Sequence, residues 1–211
     1  MRIGELATAT KVPLATLKYY LREGLLHPGV ATAVNQAVYD DGHVQRVRLV
    51  RALLHMGHLS IADARQVIAA VDNPNLGVHD MFGVAQDALV PGEPVESPAM
   101  AAAMVEVDAF IRRHHLRVRP QAAVRRMLAE VLVAASELFG VPTGQSVGAD
   151  GWDDLMPQLL ALAEAEVGSL PDDSSRASLM EGMVGGTVLF EVGLAAVRRM
   201  ALEHASAERF A

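Results

Sequence analysis

The chain has 211 residues and a formal net charge of −7, and 51% of it is apolar although only 4% is aromatic. Ala, Val, Leu and Met supply most of this apolar content, which is typical of packed helices rather than sheets. The absence of cysteine excludes disulfides, thiolate metal sites and thiol redox chemistry, and the N-terminus carries no secretion-signal pattern, so we expect a cytoplasmic protein without cofactor or metal.

The first informative feature is residues 3–26, where the pattern predicts two short helices joined by a tight turn. At 100° per residue, Leu14, Leu17 and Leu21 fall on one face of the second helix. Its opposite face carries small, hydroxylic and cationic side chains, and Gly24 is a natural residue to end it. Such a helix is what a helix-turn-helix protein places in the DNA major groove.

The next segment is extended and rich in turn-forming residues. Residues 27–41 are typical of a β-hairpin wing. A third helix is predicted over 43–56 and ends at Gly57, and Ser60 opens a fourth helix that reaches Val71. The arginines expected on the solvent-facing side of the third helix are Arg46, Arg48 and Arg51.

Five short segments in this order point to a known family. They are Arg2–Ala7, Thr16–Tyr20, Gly24–Leu26, Tyr39–Asp41 and the turn from Gly57 to Ser60 that leads towards Ala64. Together they resemble the MerR family of bacterial transcription regulators, over about residues 1–71. The resemblance implies a winged helix-turn-helix, a homodimer, and a palindromic promoter site between the recognition elements for RNA polymerase. In that family the dimer bends and untwists an over-long spacer, and an effector switches it to an activating state.

The expected contacts to double-stranded promoter DNA follow from the helix face and from this resemblance. They are Leu14, Ala15, Thr16, Lys18, Tyr19, Tyr20, Arg22, Asn35, Gln36 and Tyr39. Three features depart from the family pattern, and one of them is Leu21, which stands where the family usually has an acidic residue after the two tyrosines. Lys18 stands where the family usually has arginine. The positive charge is kept, but the bidentate hydrogen-bonding geometry of the guanidinium is lost. The wing lacks its usual arginine, so Asn35 and Gln36 are the available substitutes.

The sequence as a whole predicts a mainly α protein. We expect a winged helix-turn-helix domain over residues 1–72, a connector over 73–97, and an all-α effector-binding and dimerisation domain over 98–211. Residues 1–72 have a net charge of +2 and residues 73–211 a net charge of −9. The acidic part opposes non-specific adhesion to DNA without forbidding specific binding. The helices predicted in this part cover residues 79–90, 98–115, 120–138, 152–167 and 174–207.

The last predicted helix carries the longest apolar run. Residues 183–197 are too short to span a bilayer and include Glu191, so we expect no membrane insertion. Gly182, Gly186 and Gly193 fall on one side of this helix, which allows close backbone approach either within the domain or at a subunit interface. The sequence does not decide which helix forms the dimer contact.

A small-molecule sensor is the expected role of the second half. Its methionines make an adaptable apolar interior, and its acidity favours an apolar or cationic ligand. The candidate ligand-binding residues are Met127, Phe139, Trp152, Met156, Met183 and Phe190. The alternative is that these residues form only a core.

Catalysis is not expected. The sequence contains no Gly-rich phosphate loop, no nucleophile elbow and no His-Glu-x-x-His pair. The alternative to a DNA-binding regulator is a winged-helix protein-interaction module without specific DNA binding.

Overall fold

The computed structural model describes residues 1–33, 36–92, 96–140, 152–171 and 174–210. Its elements are α1 (Ile3–Thr10), α2 (Leu14–Arg22), β1 (Val30–Ala33), β2 (Gln36–Val38), α3 (Asp41–Arg51), a π-helical turn (Ala52–Met56), α4 (Ile61–Asp72), α5 (Val78–Leu89), α6 (Pro98–Arg113), α7 (Ala123–Phe139), α8 (Met156–Gly168) and α9 (Arg176–Phe210). The predicted fold class, mainly α with a small β wing, is confirmed.

The elements form two compact units. The first unit consists of Met1–Phe82 together with Leu170–Ala211, and the second consists of Gly83–Ser169. We expected the final helix to belong to a domain spanning residues 98–211. The structure instead groups it with the N-terminal elements.

The core of the first unit is aliphatic. Leu6 on α1, Leu17 on α2 and Val47 on α3 have no exposed surface, and neither do Leu53 in the π-helical turn and Val67 on α4. These side chains come from five consecutive helical segments, so α1 to α4 share one core. Burial of this apolar surface is the main force that holds α2 in place.

Local capping explains where α3 and α4 begin. The Asp40 side chain accepts a hydrogen bond from the backbone N–H of His43, three residues on. Ser60 does the same for Asp63 at the start of α4, as its sequence pattern predicted. The helix predicted over 43–56 is present, but its last five residues, Ala52–Met56, widen into a π-helical turn.

Helix α9 is fixed to the first unit at its N-terminal end. The Arg176 guanidinium donates to the carbonyl oxygens of Ala70 (3.0 Å), Val71 (2.9 Å) and Leu76 (2.9 Å), at and just beyond the C-terminal end of α4. The carbonyls of Ala70 and Val71 are among those that a helix end leaves without intrahelical partners, whereas Leu76 lies beyond the helix. Met180 and Val184, one and two turns further along, are fully buried. The arginine and the two apolar side chains explain why this helix joins the N-terminal elements.

The second unit is built around the pair α6 and α7. Its buried cluster consists of Ala103, Val107, Phe110, Ala129 and Leu132. Asp87 on α5 accepts hydrogen bonds from the Arg119 guanidinium at 2.7 Å and from the backbone N–H of Ala123 at 2.8 Å, which caps the start of α7. The described part of α8 has no buried residue, although Met156 packs against the cluster.

Candidate nucleic-acid interface

Helix α2 divides into a buried face and an outward face. Leu17 is fully buried and Tyr20 is 2% exposed, so these two side chains fix the helix against α1, α3 and the core. Ala15, Lys18 and Arg22 are exposed along the opposite face. The outward face therefore combines a small residue with two cations, which suits close approach to a nucleic-acid groove.

Thr16 and Tyr19 lie at the edge of this outward face. The Arg22 guanidinium stacks over the Tyr19 ring at 5.4 Å from its centroid. This contact restricts both side chains while leaving their polar ends at the surface. Tyr19 and Arg22, two of the predicted contact residues, therefore touch each other in the protein alone.

The inward face of α2 differs in part from the prediction. Leu14 was expected to pack inward with Leu17 and Leu21, but it is 40% exposed, and Leu21 is half-buried. Tyr20 takes the inward position instead. Since Pro13 turns the chain at the start of α2, the first helical residue lies at the rim of the core.

Both ends of α2 are held by backbone hydrogen bonds. The N–H groups of Thr16 and Leu17 donate to the carbonyl oxygen of Pro13 at 2.9 and 3.1 Å. At the other end, the N–H groups of Leu25 and Leu26 donate to the carbonyl oxygen of Tyr20 at 2.9 and 3.2 Å. This closing turn places Gly24 at a φ of +71°, which glycine adopts without strain.

Two of the predicted contact residues lie in the core. Tyr20 is buried as described, and burial raises the pKa of its phenol, although the nearby Arg51 opposes the shift. Tyr39 is 6% exposed, with its ring edge against His43 at 5.0 Å between centroids. Burial removes both rings from the accessible surface. Tyr20 and Tyr39 therefore pack in the core. The spacing of residues in the sequence could not distinguish this packing role from contact with DNA.

The wing is a short antiparallel hairpin in which Val30 pairs with Val38 and Ala31 with Ala37. A Cβ added at Gly29 would lie 2.7 Å from the carbonyl oxygen of Val38, so only glycine permits this close approach. Gln36 is exposed on the second strand. The predicted contact residue Asn35 lies outside the described residues.

The N-terminus extends the base of this wing. The amino group of Met1 donates to the carbonyl oxygen of Tyr39 at 2.7 Å, and the N–H of Tyr39 donates to the carbonyl oxygen of Met1 at 2.8 Å. The exposed Arg2 donates to the Gln36 amide oxygen at 3.4 Å. Arg2 therefore puts a cation beside the wing, which lacks an arginine of its own. Arg2 was not predicted as a contact residue, because no spacing rule links it to a residue 34 positions away.

Two further cations lie next to α2. An open depression of about 410 Å³ lies between the start of α2 and the end of α3, and its lining includes Lys11, Thr16, Tyr19, Arg51 and His55. Lys11 was not predicted as a site residue. It adopts a left-handed conformation with a φ of 54° at the turn between α1 and α2. That turn geometry is not visible in hydrophobic periodicity.

The arginines of α3 separate into two environments. Arg46 was expected in solvent but is 6% exposed and pairs with Asp72 at the end of α4. Arg51 is exposed near α2, as expected. The ion pair with Asp72 accounts for this burial, because a buried guanidinium is tolerated only when its charge is paired.

A histidine pair supports the junction between wing and α3. The His27 and His43 rings lie 4.2 Å apart between centroids, and His43 Nδ1 lies 2.6 Å from the Asp40 carboxylate. Burial, and then the neighbouring His43, lower the pKa of His27. The contact with His43 lowers the pKa of Asp40. Among the described residues, no group of three or more His, Asp or Glu side chains is placed to hold a metal ion.

The six candidate ligand-binding residues are divided between the two units. Met127, Phe139, Trp152 and Met156 belong to the second unit, and Met183 and Phe190 belong to α9 of the first unit. Met127, Phe139 and Trp152 have 39–63% of their surface exposed. In the second unit, an open depression of about 650 Å³ is lined instead by Glu96, Ser97, Pro98, Met100, Ala101, Met104 and Arg126.

The described segments include one helix, α9, that is long and apolar enough to cross a bilayer by length and composition alone. Its first turns are packed in the first unit, since Met180 and Val184 are fully buried there. A bilayer would also have to accept Glu191, Arg198 and Arg199 in the same helix, which is costly. Length and composition are therefore weak support for a membrane span.

Comparisons with known proteins agree with this geometry. The family model described as MerR HTH family regulatory protein matches residues 1–71, from α1 to the end of α4. Nodulation protein NolA of Bradyrhizobium elkanii is 46% identical over 56 residues, which is 26% of each chain. NolA of Bradyrhizobium sp. (strain NC92) is 40% identical over 67 residues, 32% of this chain and 28% of the relative. The match thus spans about a quarter of the length of these curated relatives.

A solved structure resembles the whole chain. SCO5550 from Streptomyces coelicolor A3(2), a protein assigned as a transcriptional regulator, superposes with a TM-score of 0.75 and 35% sequence identity. The match covers 100% of this chain and 98% of that one. It includes the helices after residue 71, which the sequence alone did not connect to any family.

Proposed function

The chain belongs to the MerR family of helix-turn-helix transcriptional regulators, and we propose from this premise that it binds, as a homodimer, a palindromic site in promoter DNA. The observation that carries the proposal is the two-sided construction of α2. Leu17 and Tyr20 fix the helix, while Ala15, Lys18 and Arg22 face outward. Because the backbone of α2 is already ordered in the protein alone, binding does not have to order it, which lowers the entropic cost of association.

The proposed DNA contacts are of two kinds. Ala15 and Thr16 lie near the N-terminal end of α2, where a recognition helix meets base edges. Lys18 and Arg22 on α2, together with Arg2 beside the wing, are placed to contact phosphates, which supply affinity rather than sequence preference. Leu14, Tyr19 and Gln36 complete the accessible set of contact residues.

We propose that the protein regulates transcription by changing the geometry of the promoter DNA. A dimer that deforms the spacer between two promoter elements presents them to RNA polymerase in altered geometry, and deformation energy of this kind depends on sequence. The protein then works in the cytoplasm, on the chromosome, without catalysis of its own.

A small-molecule effector is proposed for the second unit. That unit holds 12 Asp and Glu against six Lys and Arg, so its field favours a cationic or apolar ligand. The depression near Met100 and Met104 offers an adaptable apolar wall beside Glu96. A thermal-shift screen of cationic and apolar compounds tests this, because a ligand that binds only the folded chain raises Tm.

The DNA proposal is tested by selection from a pool of randomised duplexes. We expect the full chain to enrich one inverted repeat, whose half-sites mirror the twofold symmetry of a dimer. Enrichment of no sequence, with the chain folded and dimeric, would favour the protein-interaction module instead.

A further inference from the structure

Helix α7 in the second unit carries a continuous row of exposed apolar residues. They recur in steps of three and four, and they are Val124, Met127, Val131, Ala134 and Leu138. Ala134 is exposed, and the four larger side chains have 43–76% of their surface exposed. We call these five residues the α7 row. A contiguous apolar surface of this kind marks an interaction site.

The α7 row is separate from the face by which α7 packs in its own unit. Ala129 and Leu132 are the buried residues of α7, and they join the cluster that contains Val107 and Phe110. At 100° per residue, the row occupies an arc of about 80°, and the middle of this arc points about 150° away from the mean direction of Ala129 and Leu132. The packing of the second unit therefore does not account for the apolar side chains of the row.

The spacing and length of the α7 row fit another helix. Steps of three and four residues keep a single apolar line facing a partner helix, and amphipathic helices dock through anchors at this spacing. From Val124 to Leu138 the row is about 21 Å long at 1.5 Å per residue. A partner helix of about four turns would cover it, whereas a small molecule prefers a concave pocket to the convex side of a helix.

The charged residues that border the α7 row are acidic. Glu130 and Glu137 follow one edge of the row, while Leu128 and Ala135 follow the other. Glu130 pairs with Arg126 at 2.7 Å, and the exposed Glu137 pairs with no cation among the described residues. The second unit as a whole holds 12 Asp and Glu against six Lys and Arg. The surface is therefore complementary to an apolar helix that carries lysine or arginine along its flank.

The same charges disfavour two other occupants. In an antiparallel pair of α7 helices from two copies of this chain, each edge faces the same edge of the other copy, so Glu130 and Glu137 would face carboxylates. A parallel pair would set the acidic edge against the apolar edge and form no ion pair. An anionic membrane surface would repel the acidic edge.

We propose that the α7 row is the docking site for a basic amphipathic helix of another protein. The apolar side of that helix packs on the row, and its flanking cations lie beside Glu130 and Glu137. The site belongs to the second unit and uses none of the proposed DNA contacts. The inference therefore goes beyond the proposed function and does not depend on it.

The first experiment uses two synthetic peptides of 18 residues with leucine at the steps of three and four. One carries lysine at every flanking position, and the other carries glutamate at the same positions. Fluorescence anisotropy with the full chain measures both affinities. We expect the lysine peptide to bind about tenfold or more tightly than the glutamate peptide, because several flanking pairs change from attraction to repulsion. Equal affinities, or no binding of the lysine peptide, would overturn the proposal.

The second experiment places the peptide on α7. Val131→Lys should weaken binding of the lysine peptide by about tenfold or more, because it sets a charge against the apolar side of the peptide. Leu138→Lys, at the end of the row, should weaken it in the same direction. The matched control is Val105→Lys, which alters an exposed valine of α6 that points about 170° away from the buried face of that helix. Equal affinities of Val131→Lys and Val105→Lys would overturn the proposal.

The third experiment tests the acidic edge by charge reversal. Glu137→Lys should weaken binding of the lysine peptide and strengthen binding of the glutamate peptide, by about threefold each. Unchanged affinities for both peptides would show a contact that is only apolar and would contradict a basic partner.

Two further measurements distinguish the other occupants. Sedimentation equilibrium of the wild-type chain and of Val131→Lys compares their oligomeric states, and we expect no difference. A change of state in Val131→Lys that Val105→Lys does not show would assign the row to a second copy and overturn the proposal. Flotation of the wild-type chain with phosphatidylcholine–phosphatidylglycerol vesicles, lost in Val131→Lys, would assign the row to a membrane and overturn it as well.

Discussion

Arg65 on α4 donates through Nε to the backbone carbonyl oxygen of Glu23 at 2.6 Å, and its guanidinium also pairs with the Glu23 carboxylate. Glu23 is the residue that ends α2. The contact therefore ties the C-terminal end of α2 to a second helix without occupying its outward face. We conclude that α4 helps to set the direction in which α2 points.

The first prediction concerns this tie. Arg65→Ala should lower stability by no more than about 1 kcal/mol, because the pair is partly exposed. It should weaken binding to the selected duplex by about fivefold, the equivalent of the same energy lost from the bound geometry. Fluorescence anisotropy measures the affinity. Arg117→Ala, which removes an exposed cation from the second unit, is the control, and an Arg65→Ala affinity equal to that of this control would contradict a positioning role.

The second prediction separates affinity from sequence preference on α2. Lys18→Ala should weaken binding to all duplexes alike and reduce the slope of log K against log salt by about 1. Thr16→Ala should instead change preference at one base position by about 1–3 kcal/mol. Parallel titrations of matched and single-mismatch duplexes at several salt concentrations check both. Sequence-selective loss in Lys18→Ala would reverse these assignments.

The third prediction concerns the cation beside the wing. Arg2→Ala should lower affinity for every duplex and reduce the salt slope by about 1, as expected for one lost phosphate contact. Arg2→Lys should retain most of the slope, because the charge is kept while the hydrogen-bonding fork is lost. Arg112→Ala on α6 is the matched control. If the salt slope of Arg2→Ala is unchanged, Arg2 does not contact a phosphate and the prediction is wrong.

Much of the first unit could be predicted because its signals are local. The Ser60 cap, the break at Gly57 and the leucine spacing of α2 each depend on residues within one or two turns of one another. The extended, turn-rich pattern of residues 27–41 predicted the wing in the same way. Long-range contacts could not be predicted in the same way. Arg46 was placed in solvent because its pairing with Asp72 joins residues far apart in sequence.

The same limit applies to the candidate site and to the final helix. Periodicity places Tyr20 between the two faces of α2, and only packing shows that it is buried. The grouping of α9 with the N-terminal elements depends on Arg176, about 100 residues from its acceptors on and after α4. No local pattern carries that information.

The fourth prediction tests this anchor. Arg176→Ala should lower the free energy of unfolding by about 2–3 kcal/mol, because hydrogen bonds from a charged donor are lost and partly buried carbonyls are left unpaired. Urea denaturation measures the change, and Arg199→Ala on the exposed part of α9 is the control, with an expected effect within about 0.5 kcal/mol. Equal stability of the two variants would show that α9 is held by apolar contacts alone.

The fifth prediction concerns pH. Because burial lowers the pKa of His27 in the folded chain, the unfolded chain binds its proton first, at about pH 6.5. Stability should therefore fall as pH drops from about 7.5 to about 5.5, by less than about 1 kcal/mol for a group this exposed. His27→Gln should remove that part of the pH dependence. Urea denaturation at several pH values checks this. If the free energy of unfolding of His27→Gln falls equally steeply with pH, a group other than His27 causes the pH dependence.

The most direct measurement is the ratio of two affinities of the full chain, for the selected inverted repeat and for a duplex of the same composition in scrambled order, at one fixed salt concentration. We predict a ratio of about 10³ or more, as for specific DNA-binding proteins. A ratio near one, with the chain folded and dimeric, would contradict sequence-specific binding by α2.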